Sequence, residues 1–124
     1  MRKQYKGEMM ERQYKGESAS PGIVKGRVKV IYNSNDLRKI KPGDIIVAYY
    51  VPPSYFPVLL KAKGVITEQS GILAHGAILA RELGIPAVTG VKNVMRELKD
   101  DIEVIINGNE GIVISISERD HLED

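Results

Sequence analysis

The chain has 124 residues, 43% hydrophobic and 27% charged, with a formal net charge of +2 and no cysteine. That length supports one domain and is too small for a multidomain enzyme, and the missing cysteine excludes disulfides, thiolate metal sites and cysteine nucleophiles. Interspersed Lys, Arg, Asp and Glu give no basic stripe for nucleic acid, no apolar run reaches the roughly 20 residues of a membrane helix, and residues 1–17 lack the apolar centre of a signal peptide, so a cytoplasmic protein is expected.

The first 18 residues form a polar extension in which Gln4-Tyr5-Lys6-Gly7-Glu8 recurs as Gln13-Tyr14-Lys15-Gly16-Glu17. Two copies cannot build a solenoid. A duplicated, mostly solvated start is expected, with a pairing strand or docking arm as the other reading. The globular part, 19–117, opens on Ala19-Ser20-Pro21-Gly22, a turn by composition. Val24, Gly26, Val28 and Val30 alternate with Lys25, Arg27 and Lys29, the period of a half-exposed strand with a solvated basic face. Ser34, Asn35 or Asp36 can cap a helical turn over Leu37–Ile40, and Lys41-Pro42-Gly43-Asp44 is a turn.

Ile45–Tyr50 is a continuous apolar run, as in a strand buried on both faces. Pro52-Pro53-Ser54 ends it and can start a helix over Tyr55–Ala62. Val65–Thr67 is a short strand, and the loop Glu68–Gly71 leads into a helix over Leu73–Leu83, which Gly84 closes and Pro86 stops. Ala87 and Val88 make a brief strand, and Asn93 can cap a helix over Val94–Leu98. Ile102–Ile106 and Ile112–Ile116 are strands joined by Asn107-Gly108-Asn109-Glu110-Gly111, a hairpin signal. The order predicts a mixed α/β layer structure, with a charged, frayed tail at 118–124.

Only His75 and His121 can act as imidazoles, and His121 lies in the tail. His75 falls in the first turn of the small-residued helix Gly76-Ala77-Ile78-Leu79-Ala80. First-turn N–H groups and the helix dipole form an anion site. The same positive end disfavours an imidazolium, and neutral imidazole is the nucleophilic form. A nucleophile beside donors suited to phosphoryl oxygens meets the main demand of phosphoryl transfer. On spacing alone a packing role for this histidine stays open. No second histidine or paired carboxylate stands at ligand spacing, so no metal site is expected.

The run His75-Gly76-Ala77-Ile78-Leu79-Ala80-Arg81-Glu82-Leu83-Gly84-Ile85-Pro86-Ala87-Val88-Thr89-Gly90 resembles the segment around the phosphorylated histidine in the phosphoenolpyruvate (PEP)-utilising enzymes. Its nearest resemblance is to PEP synthase, with similar segments in pyruvate phosphate dikinase and enzyme I of the sugar phosphotransferase system. Ala19–Gly22 with Gly26, Pro42–Val47, Pro53–Tyr55 and Asn107-Gly108 with Gly111 and Val113 extend it, in order, over residues 19–116. The resemblance implies an α/β swivelling phosphohistidine domain, layered β/β/α, with mixed sheets and short helices. It implies His75 as phosphoryl acceptor, with Thr67, Gly71, Gly76, Ala77 and Arg81 in or near the phosphate site. The expected partners are separate ATP-grasp and PEP/pyruvate-binding proteins carrying magnesium with ATP or PEP, while this chain binds no cofactor itself. A stand-alone carrier within a phosphotransferase, a transferase of kinase type, follows.

Ser70, Ala74, Gly76 and Val51 depart from the family pattern, which usually has Gly, a Ser/Thr/Cys, an Ala/Thr and a Thr there. They motivate the alternative of a non-catalytic descendant that docks a protein or senses a metabolite. A nucleic-acid reading of Lys25, Arg27 and Lys29 with Tyr49, Tyr50 and Tyr55 is the weakest, since those tyrosines suit the core and its rim.

Overall fold

The computed structural model describes residues 8–119, with side chains for 10–116. The strands are β1 (Glu8–Lys15), β2 (Glu17–Ser20), β3 (Ile23–Ile31), β4 (Ile45–Ala48), β5 (Gly64–Thr67), β6 (Ala87–Thr89), β7 (Glu103–Asn107) and β8 (Ile112–Arg119). The helices are α1 (Phe56–Leu59), α2 (His75–Leu83) and α3 (Val94–Glu97), with 3-10 turns over Ser34–Lys39 and Pro53–Tyr55. Strand order is β1-β8-β7-β3-β4-β5-β6-β2.

β3 belongs to two sheets at once. Its first half pairs antiparallel with β7, Ile23 opposite Asn107 to Arg27 opposite Glu103. Its second half pairs parallel with β4, Val28 opposite Ile45 to Ile31 opposite Ala48. Beyond β4 the strands β5 and β6 continue in parallel, while β7, β8 and β1 continue antiparallel. The mixed sheet and the terminal hairpin are therefore as expected.

Side-chain alternation sorts the core into two layers. Ile45 and Val47 join Val28, Val30, Ile66, Val88, Val104, Ile106 and Val113 in one apolar cluster. Ile46 and Ala48 project the other way, with Val65 and Ala87, onto Leu59, Ala77 and Ala80 of the helices. β4 is buried on both faces as its apolar run predicts, but it stops at Ala48, and Tyr49 and Tyr50, expected in the same strand, are exposed. Each fully buried Ile or Val contributes about 1.5–3 kcal/mol, so β4 anchors both layers. The result is β/β/α.

Several local expectations change. Residues 8–18, expected as a solvated extension, include β1 along β8 and the start of β2 along β6. The two strands share only Gly16 between them, although they lie at opposite ends of the strand order. A Cβ on Gly16 would sit 2.7 Å from Val91 Cγ2 and 2.8 Å from Val88 Cγ1, so only glycine fits. The first repeat copy, apart from Glu8, lies outside the described residues, as do 120–124 of the charged tail; Glu118 and Arg119 pair with Met9 and Glu8.

Lys29, expected on a solvated face, is 9% exposed. Its ammonium lies 2.8 Å from Asp101 and 3.3 Å from Asp44, because β3 changes partner at Val28 and turns it toward those carboxylates. Paired charge makes that burial tolerable. Asn33, not a residue of 34–36, caps the first 3-10 turn, and Asp36 closes the capping box. The helix expected over 55–62 is confined to Phe56–Leu59, because bonds spanning three residues tighten its end at Lys61 and Ala62.

Candidate functional site

The loop from β5 to α2 delivers His75 as the first helical residue. Ala74 is the N-cap, extended at φ −69° and ψ 156°, and no side chain caps the helix. Its carbonyl accepts the first bond, from Ile78 N–H at 3.0 Å, and its own N–H donates to Gly71 O at 3.1 Å. The N–H groups of His75, Gly76 and Ala77 are thus left without a capping side chain at the positive end of the helix. Gly76, Ala77 and Ala80 bury the inner face, and Gly84 closes the far end at φ 72°.

His75 is exposed and lines an open cavity of about 410 Å³. Gln69, Ser70, Gly71 and Ala74 wall it together with Tyr50–Pro53. A Cβ on Gly76 would lie 3.0 Å from Val51 Cβ, so α2 sits directly on Val51.

The other residues implied by the resemblance fall in different places. Gly71 lines the cavity with His75, and Gly76 and Ala77 form the first turn behind it. Thr67 is buried beneath, its hydroxyl donating to Gln69 O at 2.9 Å, so it shapes the loop from below. Arg81 points its guanidinium along the helix flank, donating to Ile72 O at 2.8 Å and to Ala19 O at 2.6 Å. It ties the loop to β2.

Sequence reasoning missed Glu17. Its carboxylate accepts Gly71 N–H at 2.8 Å, Thr89 Oγ1–H at 3.0 Å and Ser70 Oγ–H at 3.1 Å. The Gly71 N–H, then the Thr89 hydroxyl, hold this carboxyl below the usual glutamate range. Only the strand pairing of β2 with β6 brings a residue of the repeat to the site, and no local pattern signals that.

Residues 40–111 match the family described as "PEP-utilising enzyme, mobile domain". The chain belongs to that family. This mobile domain is 46% identical over 99 residues to a probable phosphoenolpyruvate synthase of Methanothermobacter thermautotrophicus, covering 80% of this chain and 14% of that protein. It is 37% identical over 117 residues to rifampicin phosphotransferase of Bacillus subtilis, covering 86% of this chain and 13% of that protein. The mobile domain therefore spans about one seventh of the curated relatives it matches. The solution structure of Enzyme I (nEIt) superposes with a TM-score of 0.56 at 36% identity, covering 64% of this chain and 33% of that one. Aconitase X of Thermococcus kodakaraensis superposes at TM-score 0.66 and 20% identity, over 86% of this chain and 99% of that one, a likeness of fold alone. The expected family and swivelling fold are both met. Among the described residues no helix is long and apolar enough to cross a membrane.

Proposed function

We propose that this mobile domain is a phosphohistidine carrier, in which His75 accepts a phosphoryl group from PEP or ATP on a partner protein and passes it on. The observation that carries the reading is His75 itself, exposed in an open cavity at the first position of a helix with no side-chain cap. In the accepting step an imidazole nitrogen forms the N–P bond as the bond from phosphorus to the donor oxygen breaks. The electron pair leaves on enolpyruvate or ADP. The N–H groups of Gly76 and Ala77 receive phosphoryl oxygens, supplying positioning and charge stabilisation. Magnesium, ATP-binding and pyruvate-binding surfaces lie outside these 124 residues in this reading, and a cytoplasmic, reducing setting suits the cysteine-free sequence.

Wild type and His75→Ala, incubated with PEP or ATP and extract of the source cells, test it. An acid-labile phosphate on wild type alone is expected. A phosphate in both proteins, or one stable to acid, removes His75 from the role. A partner complex that forms without phosphate and survives His75→Ala favours a docking module instead.

A further inference from the structure

The loop Glu68–Ala74 has neither helix nor strand, yet Gln69, Ser70, Gly71 and Ala74 of it line the same cavity as His75. Its base is fixed by backbone: Glu68 N–H donates to Ala48 O, Gln69 N–H to Tyr49 O, and Gly90 N–H to Gln69 O. Its far end is held by Arg81 on Ile72 O. Between these, Ser70 and Gly71 are held by Glu17. We propose that Glu17 is a positioning residue for His75, its carboxylate reaching from β2 to fix the Ser70–Gly71 wall in the shape that receives the phosphoryl group. The proposal deepens the carrier reading and rests on it.

Three features support the assignment. One carboxylate gathers three donors from two elements far apart in sequence, the loop at Ser70 and Gly71 and the end of β6 at Thr89. Hydrogen bonds to an ionised acceptor are roughly twice as strong as neutral ones; a glutamate is ionised at neutral pH, and the lowering of Glu17 by Gly71 N–H and the Thr89 hydroxyl reflects donors that favour that charged form. Space is reserved for the arrangement: a Cβ on Gly90 would stand 3.0 Å from Ser70 Oγ and 3.4 Å from Glu17 Cδ. Glu17 is itself exposed, whereas β2 contributes Ala19 to the core, so the side chain can be changed without removing core packing. Among the described residues its hydrogen bonds go to the loop and to Thr89, not to the imidazole, which makes it a positioning residue and not a catalytic one.

Ser70 gives the assignment a further point. This chain combines a serine in the wall with a carboxylate opposite it, at 3.1 Å.

The test uses phosphoramidate as a small donor, so that no partner protein is needed. Its P–N bond breaks, ammonia leaves with a proton, and the N–P bond to His75 forms. Wild type, Glu17→Ala and Glu17→Gln are compared well below their thermal midpoints, by intact mass for phosphorylation of His75 and by amide exchange at Gly71. Glutamine keeps one oxygen for Gly71 N–H and Thr89 Oγ–H, and its NH₂ can donate to the Ser70 hydroxyl. Glu17→Ala is expected to slow phosphorylation about tenfold and speed Gly71 exchange by as much, the size of one net hydrogen bond, with Glu17→Gln within about threefold of wild type on both. Wild-type values in Glu17→Ala, or equal losses in both variants, would overturn the proposal. If wild type itself takes no phosphate on His75, the carrier reading fails, and Gly71 exchange alone decides whether Glu17 places the wall.

Discussion

Replacing Ala74 by serine would give α2 the capping hydroxyl that it lacks. Ala74 already has the extended backbone of an N-cap residue, so the substitution requires no change of backbone conformation. A serine Oγ at this position accepts the N–H of the second or third helical residue, here Gly76 or Ala77, neither of which has a side-chain partner. Ala74 lines the open cavity, so the added atom has room. An N-cap hydroxyl contributes about 1 kcal/mol relative to alanine. Unfolding entropy near 2.1 cal/mol/K per residue, over this chain, converts that to a rise of about 4 °C in Tm. Scanning calorimetry of wild type, Ala74→Ser and Ala74→Cys measures it, with cysteine as the near-isosteric control of weak acceptor strength. A serine variant no more stable than wild type, or a cysteine variant stabilised equally, would refute the account of an uncapped α2.

Two further outcomes follow from the strand edges and the carboxylates. Gly16→Ala forces a methyl group against the Val88 and Val91 side chains and the Thr89 carbonyl, and should cost about 1–3 kcal/mol in urea unfolding, as overpacking of a filled interior does; a loss under 0.5 kcal/mol would contradict the close approach. Acid should also destabilise the fold. Glu17 is lowered chiefly by Gly71 N–H and Asp101 chiefly by the Lys29 ammonium; for Asp100 the largest single effect, burial, pushes up, and Lys39 with Val30 N–H together outweigh it. Groups depressed in the folded state bind protons more readily once unfolded, so their contribution is full above the ordinary values of 4.5 and 3.8 and is lost as pH falls through the folded ones. Urea midpoints measured from pH 6 to pH 3 should fall, and less steeply in Glu17→Ala than in wild type; equal slopes would remove Glu17 from the effect.

Much of the fold was legible because its signals are local. The unbroken run Ile45–Tyr50 marks a strand between two layers, although the strand stops at Ala48; Gly84 marks the end of α2, and Asn107–Gly111 marks the last hairpin. His75 was legible as a helix-start residue from the small residues after it. Lys29 was misplaced because alternation describes one sheet, and β3 serves two. Glu17 was illegible for a related reason: its partners lie 53, 54 and 72 residues away, and its own neighbours are polar edge-strand residues. A strand with Arg12 and Lys15 exposed reads as solvated chain until its partner is known.

Gly16 sets an order of events. The strand before it is matched to the last strand, Lys15 opposite Ile112, and the strand after it to β6, Glu17 opposite Thr89. Both pairings close long stretches of chain, the contacts that form slowly because loop entropy is lost before they form. On a ribosome the segment emerges before its partners, Thr89 being made 72 residues after Glu17 and Ile112 97 residues after Lys15. The wall beside His75, which Glu17 holds, is therefore completed only when β6 is in place, and the seam between the two sheet edges only when β8 arrives. An assembly intermediate in which β2 has not yet paired with β6 would carry the histidine helix but not its finished cavity.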